Sequence, residues 1–270
     1  MARQPRLTRA WLAPAVAGLL LAACAGSGER SAVSSLPSLP LGLSNNAVAV
    51  VKDARGTWLY SFLGLEAGRQ WSDTHAGGWV LAPGAAAWRS VGDVPGPGGR
   101  LAGVAAAAGG AVYVVGGYTV AEDHSEVSVP SVHRIAPGSD AFEPRTAMPV
   151  PVDDTVALVY RDRFIYLVSG WHDYGNVNLV QRYDSVNDSW DQATPFPGTA
   201  VFGHAGGIVG DSLVICDGVG IETASSGPRR FVPVDACYLG RIDAQNPRRI
   251  EWHRLPSHPG PPLYRMAAAG

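Results

Sequence analysis

The side chains able to do chemistry in this 270-residue sequence cluster after four glycines. Trp171, His172, Asp173, Tyr174 and Asn176 follow Gly170. Glu66, Arg69, Trp71, Asp73 and His75 follow Gly64. Tyr118, Glu122, Asp123, His124 and Glu126 follow Gly117, and Glu222, Arg229 and Arg230 follow Gly218. A second set, Arg100, Asp153, Asp154, His204 and Arg265, stands at or near the starts of apolar runs. Rings of Trp stack on the apolar faces of sugars, while fixed polar groups read hydroxyls. A guanidinium pairs with a buried carboxylate. The candidate ligand-binding residues are therefore Arg100, Asp153, Trp171, His172, Asp173, His204, Trp71 and Arg229. Trp171 or Trp71 would stack, and Arg100 or Arg229 would hold an anionic group.

Other chemistry finds no support. His172 and Asp173 are neighbours in sequence, which is no evidence of a charge relay. "EDHSE" at Glu122 to Glu126 offers oxygen and nitrogen donors, but an isolated loop is not taken as a metal site. "GPGGR" at Gly96 to Arg100 lacks the helix that a phosphate loop needs, and the nucleophile elbow G-x-S-x-G is absent. No catalytic residue, metal or cofactor is assigned. A net charge of −2 excludes a strongly basic nucleic-acid binder. With 46% hydrophobic and 16% charged residues, the chain is not disordered.

The elements that must position these side chains are short strands. Glycine and proline are abundant, at 33 and 21 residues; they weaken or break helices. Four apolar runs end in a glycine: "WLYSFLG" at Gly64, "AVYVVGG" at Gly117, "FIYLVSG" at Gly170 and "SLVICDG" at Gly218. They lie 53, 53 and 48 residues apart. Each follows another β-rich run across a turn, such as Arg161-Asp162, Gly109-Gly110 or Gly210-Asp211, which is a hairpin signal. Two further strands follow each glycine and end near Trp88, Phe142, Trp190 or Trp252. Each unit of about 50 residues therefore holds four strands, the blade of an all-β propeller.

This pattern resembles the kelch repeat, in which a glycine doublet after a strand is followed by a tyrosine and, some six residues on, a tryptophan. Blade three is the best copy, with "IYLVSG", Tyr183-Asp184 and Trp190. Blade two keeps Gly116-Gly117 but has His133 and Phe142. Blade four has Asp217-Gly218, Tyr238 and Trp252 around an insertion, and blade one keeps only Gly64 and Trp88. The resemblance implies a kelch-type β-propeller over residues 45–270. Four four-stranded blades are visible, and "YRMAAAG" opens a fifth. Because such propellers usually have six or seven blades, the sequence is expected to be a truncated piece of a longer one, with a complete small propeller as the alternative. In a propeller the post-glycine loops and blade starts converge on the channel mouth. The resemblance thus implies a glycan- or protein-binding module acting through that face, with no nucleic-acid partner. A carbohydrate-active enzyme, a sialic-acid mutarotase or epimerase, is the alternative. The copper-radical oxidases of this superfamily need a Cys–Tyr crosslink that nothing here matches.

Arg3, Arg6 and Arg9 precede an apolar stretch from Ala10 to Ala23, too short for a permanent span and fitting a secretory signal. It ends in "LAAC", which resembles the lipobox of bacterial lipoproteins. Residues 1–23 are thus expected to be a signal peptide and Cys24 the lipidated residue. Residues 24–44 are expected to be a tether, and the propeller to sit at the envelope, on the outer membrane. The membrane would be met through the lipid alone. Losing three arginines takes the formal charge from −2 to −5. An exported protein keeps disulfides. Cys216 and Cys237 fall on adjacent strands of blade four, so either a disulfide or two buried thiols is expected.

Overall fold

A computed structural model describes residues 36–222, 228–266 and 268. The expected signal segment, Cys24 and the first half of the tether lie outside these residues. The four predicted hairpin units form four antiparallel four-stranded sheets.

Blade one comprises β1 (Ala47–Asp53), β2 (Gly56–Leu65), β3 (Thr74–Leu81) and β4 (Arg89–Asp93). Blade two starts with β5 (Val104–Ala108) and β6 (Ala111–Val115). A ribbon of β7 (Tyr118–Val120) and β8 (Glu126–Ser128) follows, then β9 (Val132–Ile135) and β10 (Glu143–Arg145). Blade three repeats this with β11 (Val156–Tyr160), β12 (Phe164–Val168), the ribbon β13 (Trp171–His172) and β14 (Gly175–Asn176), then β15 (Val180–Asp184) and β16 (Ser189–Gln192). Blade four has β17 (Ala205–Val209), β18 (Ser212–Cys216), the ribbon β19 (Val219–Glu222) and β20 (Arg230–Pro233), then β21 (Cys237–Ile242) and β22 (Ile250–Leu255). The Gly109-Gly110 turn takes φ of 56° and 71°, the left-handed pair that two-residue hairpins require.

The first strands pack side by side in the order β1, β5, β11, β17. Side chains fill the gaps between successive blades as three apolar cores. Because blades cover both faces of a second strand, every residue of β6 and of β12 is buried. The repeat aromatics fill the outer part of each gap. Tyr183 packs on Trp190 with ring centroids 5.0 Å apart, and Phe196 on Trp252 at 5.5 Å. Burial of such a ring stabilises by roughly 1.5–3 kcal/mol. On the outer faces of blades one and four, Val48, Val50, Val209 and Val214 are exposed. Cys216 and Cys237 are register partners on β18 and β21, with Cα atoms 4.2 Å apart and their sulfurs bonded.

The predicted opening strand of a fifth blade is not formed among the described residues. Tyr264–Met266 is coil, since no neighbouring strand pairs with it. Residues 256–265 instead run as a strap over blade four. His258 Nε2 meets the buried Asp217 carboxylate at 2.7 and 2.8 Å, and Leu263 N–H donates to the same carboxylate at 3.1 Å.

Candidate functional site

A backbone motif repeats at each blade start and builds the site. Asn45, Ala102, Asp154, Gly203 and Arg265 all adopt left-handed φ, between 45° and 62°. Asp154 N–H donates to Ala102 C=O (3.1 Å), Gly203 N–H to Asp154 C=O (2.7 Å), and Arg265 N–H to Gly203 C=O (2.7 Å). Arg265 thus holds the position expected for a fifth blade start, although no strand follows it. The residues just before these, Ser44, Leu101, Asp153 and Phe202, bridge to Leu65, Tyr118, Trp171 and Val219. Those partners stand directly after the four repeat glycines. A Cβ on Gly117 would lie 2.7 Å from Leu101 O, and one on Gly170 2.8 Å from Asp153 O. Only glycine permits this approach, and positive φ adds a second reason for it. The repeat glycine therefore clamps each post-glycine loop onto the blade start beside it.

Clamping creates a cavity of about 180 Å³ on this face. Four rings form one wall. Trp171 lies 5.4 Å from Phe202 and 6.1 Å from Phe231, and Phe202 lies 5.9 Å from Phe231 and 5.4 Å from Tyr264, all centroid to centroid. Opposite them the lining is polar: Asp153, Asp154, Glu126, Arg265 and Tyr118. Arg265 donates to both Asp154 oxygens, at 3.0 and 2.7 Å. Asp153 is 2% exposed, and its Oδ2 accepts from Ser128 Oγ–H at 2.6 Å. Ser128 is held in turn by Asp173: its N–H donates to Asp173 Oδ1, and its Oγ accepts from Asp173 N–H, both at 3.1 Å.

Burial raises the Asp153 carboxyl to about 7; the charges of Asp154 and Glu126 add to the rise, and the Ser128 bond opposes it. Glu126 is also raised, by burial and then by Asp154. Burial disfavours the Arg265 cation, but pairing with Asp154 outweighs it and raises the group.

Of the predicted residues, the structure brings Asp153 and Trp171 into this cavity. Asp173 stands one layer behind, supporting Ser128. His172 Nδ1–H donates to Pro151 C=O at 2.8 Å and is not among the lining groups. Arg100 is 1% exposed. Its guanidinium donates to Gly116 O (3.2 Å), Ser131 Oγ (2.7 Å) and Pro95 O (3.4 Å), and burial lowers it to about 10. The expected anion partner is thus an interior strut tying blade two to the segment before it. His204 is buried with both ring nitrogens unpartnered among the described residues, and burial lowers it to about 4. It lies at a separate depression lined by the blade starts Asn45, Ala102, Asp154, Gly203 and Arg265. Trp71 sits in a 3-10 turn of the blade-one loop. Arg229 donates to Tyr174 O on a separate depression.

Sequence reasoning missed Phe202, Phe231 and Tyr264. Phe202 and Tyr264 stand directly before Gly203 and Arg265, so they occupy the repeat position of Asp153. Shifting the comparison of blade starts by one residue would have exposed them. Phe231, inside the blade-four insertion, carried no such signal.

Radial four-stranded sheets, repeat glycines at each loop clamp and a Tyr–Trp pair across the outer strands of a blade define a kelch-type β-propeller. Over 140 residues, 52% of this chain, the sequence is 28% identical to Kelch-like protein 15 of Homo sapiens. Against Kelch-like protein 15 of Gallus gallus it is 26% identical over 140 residues. The chain spans 22% and 28% of the length of these two relatives. No protein-family model matches the sequence. Among solved structures it is similar to one titled "Structure of YjhT", with a TM-score of 0.64 and 18% identity. That likeness covers 84% of this chain and 68% of the other, and it concerns the fold.

Proposed function

We propose that this protein is a non-catalytic binding module, exported and lipid-anchored to the cell envelope, that captures a glycan or protein ligand at the aromatic–carboxylate cavity. One observation carries the binding part. At the residue before the left-handed position, blade one holds Ser44, blades two and four and the strap hold Leu101, Phe202 and Tyr264, and blade three holds Asp153. Blade three alone places a carboxylic acid there, in a buried setting that costs stability. The similarity to kelch-like proteins supports a propeller that binds ligands through its loop face.

The test is a glycan and peptide array probed with the full chain, followed by Trp171→Ala and Arg161→Ala. Trp171 lines the cavity, while Arg161 stands on the hairpin turn between β11 and β12. Losing a central aromatic contact is expected to cost about 2 kcal/mol, roughly thirtyfold in Kd, with Arg161→Ala unchanged. The reverse ranking would place the working surface elsewhere.

A second reading, sugar mutarotation, is favoured by the Asp153 carboxyl, which exchanges its proton near neutral pH as a general acid–base group should. Its anionic substrate, N-acetylneuraminate, would meet three carboxylates and a guanidinium already paired with one of them. Exchange rates of its anomers measured by NMR decide this. No acceleration by the full chain rejects it.

Anchoring rests on the "LAAC" motif and the basic and apolar stretch before it. Cys24→Ser is expected to leave an unprocessed, unacylated precursor. Normal processing and membrane attachment of that variant would reject the lipid anchor.

A further inference from the structure

We propose that the cavity takes a cation, the ammonium or guanidinium of a single Lys or Arg side chain presented by a protein partner. This rests on the reading of the cavity as a binding site and names what fills it.

Charge gives the first argument. Three carboxylates, Asp153, Asp154 and Glu126, line the cavity with one cation, Arg265. The bidentate Asp154–Arg265 pair uses up that cation. Asp153, buried, and Glu126, exposed at the rim, are left without a cation of their own among the described residues. Asp153 is almost fully buried, yet only its Oδ2 accepts a hydrogen bond; no donor among the described residues reaches Oδ1. Oδ1 is left as an acceptor at the cavity, free to meet a donor that a ligand brings.

Ring chemistry gives the second. Trp171, Phe231 and Tyr264 present π systems beside these carboxylates, and such rings attract a cation over their faces. Phe231 and Tyr264 are 58% and 43% exposed, so they also offer an apolar rim to the residues flanking an inserted side chain.

Size gives the third. At about 180 Å³ the cavity is below the roughly 300–1,000 Å³ of small-molecule sites. One side-chain head fills that volume. A neutral hydroxyl would satisfy Asp153 Oδ1 but leave the repulsion among the carboxylates in place, and an anion would add to it.

Binding is then linked to pH. The groups facing Asp153 are the Ser128 hydroxyl and Glu126 from β8, Asp154 beside it, and Tyr264 and Arg265 from the strap. Lysine and arginine keep their charge throughout the neutral range. Deprotonation of Asp153, raised to about 7, therefore sets the affinity. It is expected to rise about tenfold from pH 6 to pH 8.

The experiment titrates the full chain with fluorescent peptides carrying one Lys or Arg in a neutral sequence, against norleucine and glutamate counterparts. Free arginine and spermidine are separate arms. Lys and Arg peptides are expected to bind, more tightly at pH 8 than at pH 6. Glu126→Gln should weaken them severalfold. Asp153→Asn should weaken them at least tenfold and abolish the pH dependence, with a thermal melt showing that this variant is folded. Norleucine or glutamate peptides binding as well as lysine, no cationic peptide binding, or indifference to Asp153→Asn would each overturn the proposal. Free amines binding as tightly as peptides would overturn the protein source. If a glycan or neutral peptide binds in a Trp171-dependent manner, the cation assignment fails while the binding-module reading stands. If nothing binds in that manner, both fail.

Discussion

Replacing Asp153 by Asn is expected to stabilise the protein, by an amount that grows from near zero at pH 4 to on the order of 4 kcal/mol at pH 8. Burial, with the charges of Asp154 and Glu126, raises this carboxyl from 3.8 to about 7 in the folded chain. A group raised in this way favours folding fully below its unfolded value. That contribution is lost as pH climbs from about 4 through about 7, because the unfolded chain ionises first and the folded chain must then ionise at a cost. Asn carries no charge at any pH, and its Oδ1 still accepts the Ser128 hydroxyl bond. In a domain of this size each kcal/mol moves Tm by roughly 2–4 °C, so the variant should melt about 10 °C higher at pH 8. Thermal melts of both proteins from pH 4 to pH 8 give the answer. A gap that stays constant over this range would mean that Asp153 ionises like an exposed carboxyl. Loss of ligand binding together with gain of stability is the signature of a residue kept for function.

Removing the Cys216–Cys237 bond is expected to cost about 3 kcal/mol. The two cysteines are 21 residues apart, and closing a loop of that length in the unfolded chain restricts it by about that much. The Cys216→Ser/Cys237→Ser double variant should melt roughly 10 °C lower than the parent, as should the parent in reductant. Thiol labelling of the unfolded, unreduced Cys24→Ser protein is expected to find no reactive thiol; two would mean that no bond forms. A second effect follows from position. Asp217, directly after Cys216, holds His258 and Leu263 of the strap, and the strap delivers Tyr264 and Arg265 to the cavity.

Most of the architecture was readable in the chain because it depends on local rules. Alternating burial in β1, glycine turns such as Gly109-Gly110 and a β-run ending in glycine at about 50-residue intervals specify hairpins and their repetition. The Tyr183–Trp190 pair marks a blade because its ring contact lies within one sheet register. The repeat glycines were legible as well, although their reason was not. They are glycines because the Leu101 and Asp153 carbonyls stand under 3 Å from where a Cβ would be.

Side-chain direction was not legible. Arg100 and His204 stand at blade starts as Asp153 does, and their spacing treats all three alike. In the folded chain Arg100 turns inward onto carbonyls, His204 is buried without a partner among the described residues, and Asp153 reaches a cavity. Trp71 and Trp171 both follow a repeat glycine. Blade one, however, forms a 3-10 turn where blade three forms a ribbon, and only Trp171 meets the other rings. Sequence by itself determined the all-β repeat, the blade boundaries and the face on which loops gather, since these follow from periodicity and backbone sterics. Tertiary structure alone decided the site. Its lining comes from positions as far apart as Tyr118 and Arg265, brought together by the packing of successive blades and the strap, and the protonation of Asp153 depends on burial and on neighbouring charges that no local spacing encodes.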